Sequence, residues 1–121
     1  MSNRRSHRSG NPNRAVGLQL RATQRRLKLE AMVVVDDLGK AVASAGTPQS
    51  CGKLGSYVAV VGRRTGEFRG VLFDAERTFP VWVKRFQAGQ RELYLGAVGR
   101  NAETPRSAID QTIAGVSRIL S

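Results

Sequence analysis

AMVVVDDLGKAVASAG, residues Ala31–Gly46, is the stretch on which the reading of this chain turns. Met32–Val35 is an apolar, mostly β-branched run, which favours strand over helix. Asp37-Leu38-Gly39-Lys40 supplies a tight turn in which Gly39 can take positive φ. Ala41–Ala45 follows as a strand of small side chains, which implies that another element or a second subunit packs closely against it. The whole reads as a β-hairpin ending at Gly46.

Upstream, residues 14–30 place Val16, Leu20, Thr23 and Leu27 on one face at steps of four, three and four, while Arg21, Arg25 and Lys28 fall largely elsewhere. That pattern is an amphipathic helix with a basic outer face. Asn11-Pro12 offers it an N-cap and a first-turn proline. Residues 1–13, MSNRRSHRSGNPN, hold too little apolar surface to offset the entropy of ordering. They are expected to form a disordered basic tail, with residues 14–121 as one domain.

Downstream, Thr47-Pro48 repeats the helix-start signature. A second helix is expected over Gln49–Val61, with Leu54, Tyr57, Val58 and Val61 on one side and Gly62 as its stop. Gly52 and Gly55 each cost about 1 kcal/mol relative to alanine, so this helix depends on tertiary contacts. Phe68–Phe73 reads as a strand made irregular by Gly70, and Asp74–Pro80 as a loop. Val81–Phe86 and Glu92–Val98 flank a turn at Gln87-Ala88-Gly89-Gln90 and form a second hairpin. Trp82 alternates with Val81 and Val83, so both faces of its strand are apolar, which reads either as core packing in the hairpin or as one face meeting another subunit. Thr104-Pro105 opens a last helix that carries Ile109, Ile113, Val116 and Leu120 at steps of four, three and four.

The 121 residues carry a net charge of +11, and its distribution is uneven. Residues 1–29 hold eight Arg or Lys and no acid, whereas the remainder holds twelve basic and nine acidic residues. The excess is therefore an N-terminal feature. A single cysteine, Cys51, precludes an intramolecular disulfide and fits a reducing compartment. No apolar run approaches a membrane span, and the basic start lacks the apolar core of a secretory signal. Its Arg- and Ser-rich composition matches an organelle transit peptide as well, but it runs directly into the first helix, so a cytoplasmic protein is expected.

Helix, hairpin, helix, strand, hairpin, helix is an α+β order. It implies a five-stranded antiparallel sheet with helices packed on its faces. This order, with VVVDDLGKAVASAG, the late strand RELYLGAVG and a closing helix ending RIL, resembles the roadblock/dynein light chain family from about Arg14 to Leu120. Profilin-like and GAF-like sensor domains share related plans. The resemblance implies a homodimer that joins its sheets and second helices. It also implies a regulator or scaffold for small Ras-like GTPases or other signalling proteins, with no catalytic signature.

The residues themselves offer little chemistry. His7, the sole histidine, lies in the tail, no Cys/His cluster has metal-ligand spacing, and neither a metal nor a cofactor is expected. Asp36 and Asp37 read as turn residues before acid/base residues. Gly62-Arg-Arg-Thr-Gly66 lacks the full phosphate-loop pattern. Cys51 reads as a small buried residue before a redox group.

Three functions stay open on the sequence, all non-enzymatic. The first is a dimeric module that binds a GTPase or signalling protein through Leu54, Tyr57 and Val58 of the second helix and Phe68, Val71 and Phe73 of the third strand. The second is a nucleic-acid-associated protein, or one held at an anionic surface, through Arg4, Arg5, Arg8, Arg14, Arg21, Arg25, Arg26 and Lys28. No aromatic occurs in residues 1–56, so base stacking by this arm is excluded. The third is a small-molecule sensor with a pocket between sheet and helix.

Overall fold

The computed structural model describes residues 12–74, 77–99 and 106–121, with the backbone alone at 72–74 and 77. Helix α1 (Pro12–Leu27) leads into the hairpin β1 (Ala31–Asp36) and β2 (Ala41–Gly46). Helix α2 (Pro48–Thr65) follows, then β3 (Glu67–Asp74), β4 (Arg77–Ala88), β5 (Arg91–Val98) and α3 (Arg106–Leu120). All pairings are antiparallel, in the order β2-β1-β5-β4-β3. The α+β sheet expected from the sequence is therefore present. Arg4, Arg5 and Arg8, the Asn11 cap and the Thr104-Pro105 entry lie outside the described residues.

The sheet is covered on both faces. Val16 and Leu20 of α1 and Ile109 and Val116 of α3 pack with Met32, Val34, Trp82, Leu93 and Leu95. On the other face Leu54 and Val58 of α2 pack with Val33, Val35, Val81, Val83 and Tyr94. This accounts for the uninterrupted apolar runs in β1 and β5, since strands buried on both sides lose the alternation of a half-exposed strand. It also decides between the two readings of Trp82 in favour of core packing. Its side chain lies in the α1/α3 core while Val81 and Val83 lie under α2, so the chain's own helices cover both faces. The small side chains of β2 accommodate α1, with Ala45 buried in that core and Val42 and Ala43 packed against it.

α1 begins at Pro12, inside the segment assigned to the tail, and stops three residues before the expected Glu30. It ends because Lys28 turns left-handed at φ 57°. Leu29 N–H then donates to the Gln24 carbonyl at 2.9 Å and Lys28 N–H to the Arg25 carbonyl at 3.3 Å. That is the bond pattern of a Schellman cap, with lysine where glycine is usual. Between α1 and α3, Thr23 and Thr112 share a buried hydrogen bond of 3.0 Å.

In the first hairpin the turn closes one residue earlier than expected. Gly39 N–H donates to the Asp36 carbonyl at 3.0 Å, with Gly39 at φ 83°. Asp36 Oδ1 accepts the N–H groups of Leu38 at 3.0 Å and Lys40 at 2.8 Å, so this carboxylate serves the turn. The β1–β2 register shifts between Val34, opposite Ala43, and Val35, opposite Ala41, which leaves Val42 as the extra residue of a β-bulge.

Two further expectations change. α2 passes through Gly62 and ends at Gly66, whose φ is 75°. Gly62 is required inside the helix because a Cβ there would lie 2.4 Å from Tyr94 Cδ1. The loop expected over Asp74–Pro80 is replaced by strand at Asp74, the end of β3, and at Arg77–Pro80, the start of β4, with Asp74 opposite Arg77. Pro80 is tolerated because it lies past Val98, the last residue of β5, and its carbonyl accepts the Gly99 N–H at 2.9 Å. Its missing donor leaves no gap inside the sheet.

Candidate functional site

A sheet with two edges has two places where another chain could pair, and here the edges differ. β2 is bulged and built of small side chains. β3 pairs with β4 without a register shift from Glu67 to Asp74. An unbulged apolar edge is a template for a further strand, whereas a bulge blunts one. Hydrogen-bond phase shows which groups are open. The Gly66 carbonyl accepts the Arg85 N–H at 2.7 Å, and antiparallel bonding alternates along the strand. Phe68 and Gly70 therefore turn their backbone groups to β4, and Arg69 and Val71 turn theirs outward.

α2 lies beside this edge. Thr47 caps its N-terminus, where Oγ1 accepts the Ser50 N–H at 3.3 Å and Pro48 fills the first turn. Its inner face seats on Gly96, where a Cβ would come 2.2 Å from Val58 Cγ2. Its outer side meets β3 through an edge-to-face contact between Tyr57 and Phe68, centroids 6.2 Å apart at 69°. Phe68 in turn folds over Gly70, where a Cβ would lie 2.5 Å from Phe68 Cζ. The glycine that made the strand look irregular makes room for this ring.

The six residues named from the sequence as a protein interface thus separate. Leu54 and Val58 are wholly buried and supply the packing that holds α2 on the sheet. Tyr57 and Phe68 are half-buried at the junction of α2 and β3, and Val71 is 49% exposed. The Phe73 side chain lies outside the described residues. Val60, 53% exposed on α2, was missed. Its signal was an apolar residue three positions after Tyr57 and off the buried stripe.

Two ion pairs tie α3 to this end of the sheet. Arg106 of α3 reaches Glu67 at the start of β3 at 2.7 Å, and Lys84 reaches Asp110 at 2.8 Å. Arg69 stacks over Trp82, 4.6 Å from its ring centroid. That pair borders a cleft of about 370 Å³ with Val71, Thr78 and Pro80 on the side of β3 and β4 away from α2. A second cleft of about 350 Å³ lies between the first turns of α2 and the β1–β2 hairpin, lined by Val35, Ala41, Ser44, Cys51 and Gly55.

Neither cleft brings together groups poised for catalysis. Cys51 is buried, donates to the Ala45 carbonyl at 3.3 Å, and burial pushes its thiol pKa up, away from a reactive thiolate. Burial, with the Glu92 carboxylate 2.5 Å away, pushes Tyr94 up to about 12. Among the described residues no three His, Cys, Asp or Glu converge on a metal position. No helix of the described residues is long and apolar enough to cross a membrane.

The basic residues form a separate surface. Arg14, Arg21, Arg25, Arg26 and Lys28 are all exposed on α1 or at its end. They lie over the sheet face opposite α2.

No family model matches the chain, and no curated protein matches it. Solved structures do. MglB from Myxococcus xanthus is 18% identical, with 89% of this chain and 86% of that one covered at a TM-score of 0.50. The gliding protein MglB from Thermus thermophilus is 15% identical, with 91% and 88% covered at 0.55. An MglB described in a tetrameric arrangement is 18% identical, with 91% and 90% covered at 0.52. At such identities the likeness is one of architecture: the chain has the same roadblock-like fold, five antiparallel strands between helices, as these MglB structures.

Proposed function

We propose that the chain is a non-enzymatic regulatory or scaffolding module that dimerises and binds a small Ras-like GTPase. The observation that carries this reading is the junction of α2 and β3. There an unbulged strand edge with outward backbone groups at Arg69 and Val71 lies beside the half-buried apolar side chains Tyr57 and Phe68, and Val60 is exposed on the same helix. Pairing of two β3 edges would join two sheets into one and bring the two α2 helices together as a composite partner surface. The fold shared with MglB, one of whose structures is described in a tetrameric arrangement, supports self-assembly of this kind.

Light scattering and a binding titration test the reading together. The chain is expected to run as a dimer at tens of micromolar. It should bind a Ras-like GTPase of its source organism with an affinity that differs between the GDP and GTP-analogue forms. Val60→Arg, on an exposed helix position, should weaken that binding by roughly tenfold without changing the fold. A strict monomer that ignores the GTPase in both nucleotide states would sink the proposal.

A further inference from the structure

We propose that the outer face of α1 docks on an anionic lipid surface, which would hold the module at a membrane with its α2 side free. Arg14, Leu18, Arg21 and Arg25 succeed one another at steps of four, three and four, so they form one stripe along about 16 Å of helix. The helix is already anchored on its opposite stripe, where Val16, Leu20 and Thr23 are buried in the core. The outer stripe therefore faces solvent as a rigid ridge. Residues 12–28 contain no acid, Lys28 adds charge at the end of the stripe, and the exposed Arg26 adds charge on the helix flank. On the neighbouring α3, the exposed Arg118 adds another cation, and Asp110 is engaged with Lys84.

The apolar residue at the centre of the stripe selects the partner. Leu18 is 61% exposed between Arg14 and Arg21. A phosphate backbone would be met by the arginines alone and gains nothing from a leucine. A bilayer surface can use both, with arginines on the headgroups and the leucine side chain at the acyl boundary. The stripe lies across the sheet from α2, so docking there does not compete with the surface assigned to dimer and GTPase. The proposal does not depend on that assignment.

Sedimentation with vesicles tests it on the full chain, using phosphatidylcholine with and without phosphatidylserine. Binding is expected only with the anionic lipid and should fall steeply as salt is raised. Arg21→Gln with Arg25→Gln should weaken it by roughly tenfold. Leu18→Ser should weaken it by several fold at unchanged charge. All three positions are exposed, and matching circular dichroism and thermal midpoints would confirm that the variants fold. Binding to neutral vesicles alone, or none at all, overturns the proposal. So does undiminished binding of the variants, which would assign the attraction to residues 1–11. Tighter binding to duplex DNA than to the anionic vesicles, unaffected by Leu18→Ser, would identify a nucleic-acid surface instead.

Discussion

Tyr94 lies with its ring against Gly62 and its hydroxyl on Glu92, and its pKa is pushed up to about 12. A phenol in the unfolded chain titrates near 10. Between the two values the unfolded state loses this proton while the folded state keeps it. The contribution of the group is therefore full below pH 10 and is lost as pH rises towards 12. Urea midpoints measured from pH 8 to 12 should fall more steeply for the native chain than for Tyr94→Phe. Two glycines of α2 provide a contrast at the same scale. Gly62→Ala would drive a Cβ to 2.4 Å from the Tyr94 ring and should destabilise by about 1–3 kcal/mol. Gly52→Ala meets nothing within 4 Å and should stabilise by up to about 1 kcal/mol. Denaturant unfolding of the two variants checks the opposite signs.

Among the elements, α1 holds a conflict between sequence and geometry at its end. Lys28 adopts φ 57°, a left-handed conformation that costs a residue with a Cβ roughly 1–2 kcal/mol. Lys28→Gly should raise stability by about 1 kcal/mol, read as a higher thermal midpoint, because the capping bonds from Lys28 and Leu29 are backbone bonds and survive. No glycine marks this cap, which is why the helix looked longer in the sequence. The elements that were legible are those whose signals are local. The periodic stripes of α1 and α3, the β-branched run of β1 and the turn at Gly39 needed no knowledge of the rest of the chain. What could not be read was set by distant partners. Gly62 looked like a helix stop because its reason, the Tyr94 ring, is thirty-two residues away. Pro80 looked like a loop because its tolerance depends on where β5 ends. The candidate site divides in the same way. Tyr57, Phe68 and Val71 were found from their apolar character, but that character could not separate them from Leu54 and Val58, which the sheet buries.

For the whole molecule the central question is whether β3 is an outer edge or the middle of a larger sheet. The α1/α3 side is closed by a complete core and bears the arginine stripe. The α2 side ends at an unbulged strand with apolar neighbours. Val71→Pro probes the difference, because its N–H points away from β4 and proline there spares the chain's own ladder. By light scattering this variant should be a folded monomer, whereas the native chain is expected to run as a dimer. The most direct measurement is amide hydrogen exchange of the native chain, resolved at single residues along β3 at tens of micromolar. Two paired β3 edges predict slow exchange at Arg69 and Val71 as well as at Phe68 and Gly70, with the first two losing protection on dilution. Fast exchange at Arg69 and Val71 at every concentration, with Phe68 and Gly70 still protected by β4, would contradict it.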